Sequence, residues 1–285
     1  MTHFLVVPQW QGSGSSRAMR LIDGAQAIAG DLPTSSTTAV DVPMEAGEML
    51  DTGVQRYSAL VTTRDRTLAA LVERAAIAPE ETVITIGGDC AADLAGVQHA
   101  LSLREPGSVA LVWFDAHADI NSPQSSPSRA FSGMVVRALL GEGPAELASA
   151  EGALLAPQQL VLAGTRSLDD GESAYIDENG IRMLTADRFA SPDALLDALS
   201  STGATSAYLH IDLDVLDPAA IDGVGYPEPF GLQPELLAET IRSVRSRYEL
   251  AGAAVTGFAP ATQDAANGDL SVILRTLGAL TAPLR

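Results

Sequence analysis

The sequence predicts an α/β fold in which a parallel sheet is covered by helices on both faces, and three stretches predict it. Val109 to Phe114 is apolar at every position, the pattern of a strand buried on both sides. Ala207 to Leu216 is a second apolar strand, interrupted only by polar groups at alternate positions, and Pro218 closes it. Residues 82–86 form a third, running into Gly87-Gly88-Asp89-Cys90 and then a helix over about 91–103, the short small-residue turn usual between strand and helix.

The remaining elements follow the same alternation. Residues 4–7 read as a first strand, followed by a Gly/Ser loop at 11–16 that lacks the Gly-Lys-Ser/Thr ending of a phosphate-binding loop. A helix is expected over 19–28, a short strand over 38–42, and a long helix over 49–76 that ends near Pro79. After the central strand come a polar loop at 121–129, a helix over 134–140, a variable connection, and a strand over 159–164. A short strand at 181–184 precedes a helix over 192–199 with Ser191 at its N-cap. A helix over 233–247, a strand over 252–258 and a last helix over 270–280 complete the chain. No repeat or Pro/Gly linker divides it, so residues 1–285 are expected to form a single domain.

Composition narrows the function. Hydrophobic residues make up 46% and charged residues 19%, which describes a globular chain. A net charge of −19 argues against nucleic acid or an anionic membrane as partner. The basic residues are all Arg, which we attribute to genome composition. One cysteine leaves no internal disulfide and fits a reducing compartment. The N-terminus has no basic, apolar leader, and no run approaches the ~18 apolar residues of a membrane span. The expectation is a soluble cytoplasmic protein.

The chemistry concentrates at three strand ends. Asp115, His117 and Asp119 follow the central strand at alternate positions, and in an extended segment such residues point the same way. Asp212 and Asp214 repeat the pattern on the second strand, and Cys90 offers a thiol after the third. Each Asp alone is better explained by an N-cap, a turn or an ion pair. Together, mostly hard oxygen donors from three strand ends suit a pair of divalent cations, because burying so many acids without a positive partner is costly.

Gly87-Gly88-Asp89, Asp115-Ala-His117-Ala-Asp119-Ile-Asn121, Ser126-Pro127-Ser128, Gly164-Thr-Arg166 with Gly171-Glu172, and Asp212-Leu-Asp214-Val-Leu-Asp217-Pro218 resemble the arginase/agmatinase (ureohydrolase) family, in the family's order over roughly residues 80–260. The resemblance implies a three-layer α/β/α fold with an eight-stranded parallel sheet, two Mn2+ ions, and hydrolysis of a guanidino group to release urea. It implies Asp115 and Asp212 as bridging metal ligands, Asp119 and Cys90 on one ion, and His117 and Asp214 on the other. Asp119 and His117 carry the catalytic roles, with Asp119 taking the proton of the attacking water. Asn121, Ser128 and Asp169 fall where such enzymes hold the α-carboxylate and α-amino groups of an amino-acid substrate. The family also implies a homo-oligomer, a trimer or hexamer.

Four positions depart from that pattern. Cys90 stands where the family usually has His, and its softer sulfur favours zinc or iron if it is a ligand. Ser132 replaces a proton-shuttling His, Ala130 an Asn, and Gly257 a Glu that grips the guanidinium. Glu228 is a candidate substitute from a neighbouring loop, with a solvated loop acid as the alternative. The leading expectation is therefore an amidinohydrolase of arginine or an arginine-like amino acid. The alternatives are an N-hydroxyarginine, formimino- or guanidino-acid hydrolase, or a catalytically silent metal-binding relative. His3 and His99 read as surface or helix residues, His210 as a strand residue beside the site, Trp113 as core, and Trp10 as a candidate for the site mouth.

Overall fold

The computed structural model describes residues 2–283. Its centre is one sheet of parallel strands: β1 (Thr2–Val7), β2 (Thr37–Ala39), β3 (Thr82–Gly87), β4 (Val109–Phe114), β5 (Leu160–Ala163), β6 (Arg182–Leu184), β7 (Ser206–Asp212) and β8 (Glu249–Thr256). Their order across the eight-stranded sheet is β2-β1-β3-β8-β7-β4-β5-β6. The central strands β4 and β7 are buried along their whole length, as their unbroken apolar runs require.

Alternation along each strand divides the core into two layers. Ala110, Val112 and Phe114 of β4, with Leu209 and Ile211 of β7, pack beneath α1 (Arg20–Gly30), α6 (Pro192–Ser200), α7 (Pro234–Arg247) and α8 (Gln263–Thr281). Val109, Leu111 and Trp113, with Tyr208, face α2 (Tyr57–Ile77), α3 (Leu94–Ser102), α4 (Val135–Leu139) and α5 (Asp170–Asn179) on the other side. This is the expected three-layer α/β/α arrangement.

Two helices start away from their expected positions and a third was not expected, each for a local reason. The long helix expected from residue 49 begins at Tyr57, because Leu50, Gly53 and Arg56 adopt left-handed backbone angles and turn the chain before it. α8 starts seven residues before the expected position 270: the Thr262 hydroxyl caps it by accepting from the Ala265 N–H at 3.1 Å, and the exposed Asn267 and Gly268 do not break it. The sequence reading missed α5 because it buries few apolar side chains. Glu172 begins it by accepting from the Asp169 N–H at 3.0 Å, and left-handed Gly180 ends it.

The α7 face carries much of the outer layer. Ile241 is fully buried between α7 and the sheet. Ile241→Ala should lower unfolding stability by about 2–5 kcal/mol, read as a reduced urea midpoint with an unchanged denaturant slope.

Candidate metal centre

The sheet order brings the carboxyl ends of β3, β7 and β4 close together on either side of β8, and the chemistry-bearing residues sit at those ends. Cys90 opens the turn after β3, Asp115 follows β4, and Asp212 is the last residue of β7. Their neighbours do not converge by strand alternation, as the spacing suggested. β4 ends at Phe114, and the chain then turns: Asp115 Oδ1 accepts the His117 N–H at 2.7 Å, and Asp119 is left-handed with φ +52°. Asp214 lies in a 3-10 turn after β7, where Asp212 Oδ1 accepts its N–H at 2.9 Å. Short carboxylates that bind their own backbone two residues on make compact turns, and these aim the acids inward.

The result is a cluster at the base of a cavity of about 320 Å³ that is lined by Cys90, Asp115, His117, Asp119, Asp212 and Asp214. His117 Nδ1 lies 3.3 Å from Asp115 Oδ1 and 3.1 Å from Asp214 Oδ2. The Cys90 thiol is 3.1 Å from Asp212 Oδ2 and 3.8 Å from Asp115 Oδ2. Two groups have ligating atoms mutually within 4.8 Å: Asp115, His117 and Asp214 on one side, and Cys90, Asp115 and His210 on the other.

Electrostatics tests whether this cluster fits cations. Burial, then the neighbouring Asp214, pushes Asp212 up to about 6; burial, then Asp115, does the same to Asp214. Asp119 is held well above the usual carboxylate range by burial and by Asp115. Burial and the surrounding acids also drive the Cys90 thiol upward. Burial alone would lower His117, but its hydrogen bonds to Asp115 and Asp214 raise it to about 12. One imidazolium thus faces four buried carboxylates. Asp119 Oδ2 is moreover buried without a hydrogen-bond partner, and an orphaned carboxylate oxygen costs several times what an ordinary hydrogen bond contributes. Divalent cations would satisfy this oxygen and offset the repulsion, so the donor set fits them.

Around the cluster, other side chains hold the loops in place. The half-buried Arg166 of the motif, to which sequence assigned no role, donates to the carbonyls of Asp214 at 2.8 Å, Glu228 at 2.8 Å and Pro229 at 3.0 Å. Glu172 Oε1 accepts from the Ile120 N–H at 3.1 Å, tying the β4 loop to the start of α5. Asp89 accepts from the Gly12 N–H at 2.8 Å and Gln9 Nε2 at 3.1 Å, tying the first loop to the turn that carries Cys90.

The expected substrate residues divide. Asn121, Ser128 and Asp169 line the cavity, and Asn121 donates to Asp169 at 2.9 Å. Glu228 is not among the residues that line it, and its backbone carbonyl accepts from Arg166. Ser132, Ala130 and Gly257 are in the wall. Trp10 packs with Ala18 and Leu21 beneath the Arg56 guanidinium rather than in the wall, and His3 is a buried β1 residue bonded to Thr38. Arg17 and Arg20, which the sequence reading passed over, do line the cavity. No charge pattern in the local sequence marks them; their place is visible only once α1 is set beside the site.

A model of the family described as "Arginase family" matches residues 14–275. The chain belongs to the arginase family. Within it, an arginase of Staphylococcus aureus (strain MRSA252) is 30% identical over 202 residues, covering 69% of this chain and 64% of that protein. The match thus spans somewhat less than two thirds of that relative. Among solved structures, an arginase of Entamoeba histolytica in complex with L-ornithine superposes with a TM-score of 0.87 at 21% identity, covering 99% of this chain and 100% of the other. A formimidoylglutamase of Bacillus subtilis superposes at 0.74 with 17% identity, covering 98% of this chain and 86% of the other. At these identities the structures share the arginase-family fold.

The departure at Gly257 has a steric reason. Its φ is +86°, and a Cβ there would fall 2.2 Å from Asp212 Oδ1. No side chain fits without moving Asp212. Gly257→Ala should therefore cost about 1–3 kcal/mol of stability by urea unfolding and weaken divalent-ion binding in calorimetric titration.

Proposed function

We propose that this chain is a binuclear-metal amidinohydrolase that cleaves the guanidino group of arginine or an arginine-like amino acid to release urea. The observation that carries the reading is the cluster of four buried carboxylates, one imidazole and one thiol at the carboxyl edge of the sheet, with Asp119 Oδ2 left without a partner. Two divalent ions held by Asp115, Asp119, Asp212, Asp214, His117 and Cys90 would supply Lewis-acid stabilisation and lower the pKa of the attacking water. Resemblance favours manganese for them.

The remaining work falls to the protein. Asp119, placed in the cavity beside the ions it would help to hold, is the carboxylate positioned to take the proton of the attacking water, while Glu172 fixes the backbone beside it. Asn121, Ser128 and Asp169 offer polar atoms to the far end of the substrate. Arg17 and Arg20 add positive charge there, and neither guanidinium has a salt-bridge partner among the described residues. In a chain of net charge −19, two unpaired cations at the cavity fit a substrate carboxylate.

A second reading is an amidine altered at its leaving group, such as an N-hydroxylated or formimino analogue. Gly257 and Ser132 favour it, because these two wall positions offer neither the carboxylate that would grip an unmodified guanidinium nor the imidazole that would protonate its leaving amine. We also take the protein to work as one domain, in the cytoplasm, as a trimer or hexamer. Among the described residues no helix is long and apolar enough to cross a membrane.

Urea or formamide release with manganese present should be followed across L-arginine, N-hydroxy-L-arginine, agmatine and formimino acids. We expect an α-amino acid to be turned over and a chelator to abolish turnover; no product from any of them, with two ions bound, would sink the reading. Arg17→Ala and Arg20→Ala should each raise KM for the carboxylate-bearing substrate about fivefold, the size of one exposed charge pair, and leave an amine analogue unaffected.

A further inference from the structure

We propose that His210 is a metal ligand, supplied by β7 to the half of the centre where Cys90 stands. This rests on the binuclear reading above and assigns it a donor that the sequence pattern does not. His210 lies fully buried two residues before Asp212, and Cys90, Asp115 and His210 offer ligating atoms all within 4.8 Å of one another.

The surroundings of the ring fix its orientation. Nδ1 lies 2.9 Å from Asp93 Oδ2, and the other Asp93 oxygen accepts from the Tyr208 hydroxyl. With Asp93 ionised, this pairing places the proton on Nδ1 and leaves the Nε2 lone pair for an outside partner. The hydrogen-bonding group beside that lone pair is Thr256 Oγ1 at 3.4 Å. The same hydroxyl lies 3.2 Å from Asp212 Oδ2 and 4.0 Å from Cys90 Sγ. One hydroxyl proton cannot serve three acceptors. Trp113 stacks on the ring with centroids 3.4 Å apart and planes within 6°, so the imidazole is held in that plane.

A carboxylate behind a histidine whose far nitrogen faces a cluster of acids is the usual support of a metal-ligating imidazole. The unpartnered Asp119 Oδ2 in the same cavity independently points to a cation beside it. Sulfur, imidazole and carboxylate together suit a borderline ion of the zinc or cobalt class better than a hard one. The half of the centre built on Asp115, His117 and Asp214 keeps a harder donor set, so the two ions differ in preference.

Metal-stripped protein titrated with Co2+ should take up two ions per chain, one of them with thiolate-to-cobalt charge-transfer absorption in the near ultraviolet. His210→Gln should weaken the thiolate-linked ion at least about tenfold and leave the other in place, and Asp93→Asn should weaken that same ion by a smaller factor. Two ions bound to His210→Gln with unchanged affinity and spectrum would overturn the assignment while leaving the binuclear reading intact; no ion bound by the unmutated protein would overturn both. X-ray absorption on the zinc-loaded, unmutated protein needs no variant. It should count one sulfur and two imidazoles over the pair of ions, and a single imidazole would overturn the role of His210.

Discussion

The constraint on which the rest of this structure depends is the burial of like charge. Asp115, Asp119, Asp212 and Asp214 are each at most 5% exposed, and three of them are pushed upward by burial and by one another. Such a cluster persists in a folded protein only where positive charge and fixed donors hold it. Much of the carboxyl edge serves that end. Backbone N–H groups of Ala116, His117 and Asp214 donate into the carboxylates, and His117 bridges two of them. Arg166 collects the carbonyls of the loops behind, so that the acids are aimed by a scaffold that does not itself neutralise them.

The same crowding explains why the wall departs from the family pattern as it does. Gly257 is left-handed with Asp212 pressed against the position of its missing side chain, so a carboxylate at 257 and the present place of Asp212 exclude each other. The Cys90 thiol, hydrogen-bonded to Asp212, is shorter than an imidazole, and His210, on β7 beyond β8, brings a ring nitrogen near it. Cys90, His210, Asp93 and Thr256 thus form one packed group.

Much of the site was legible because strand ends are easy to read. An apolar run that stops at an acid marks both a buried strand and the edge where a ligand sits, which placed Asp115, Asp212 and Cys90 correctly at three strand ends. The geometry behind Asp119 and Asp214 was not legible. Alternation predicted convergence, whereas turns closed by Asp115 and Asp212 produce it. α5 escaped for a related reason: its start is fixed by one carboxylate, Glu172, and its sequence buries too little to show a period.

By itself the sequence determined the layered α/β class, the strands that carry the acids, and the need for a cation among them. These follow from local hydrophobic pattern and from the cost of burying charge, which neighbours along the chain already reveal. Only the tertiary structure decided that Glu228 stays out of the wall, that Arg17 and Arg20 enter it, and that His210 faces Cys90 across β8. Those facts depend on which strands become neighbours in the sheet, an ordering set by packing between segments more than a hundred residues apart.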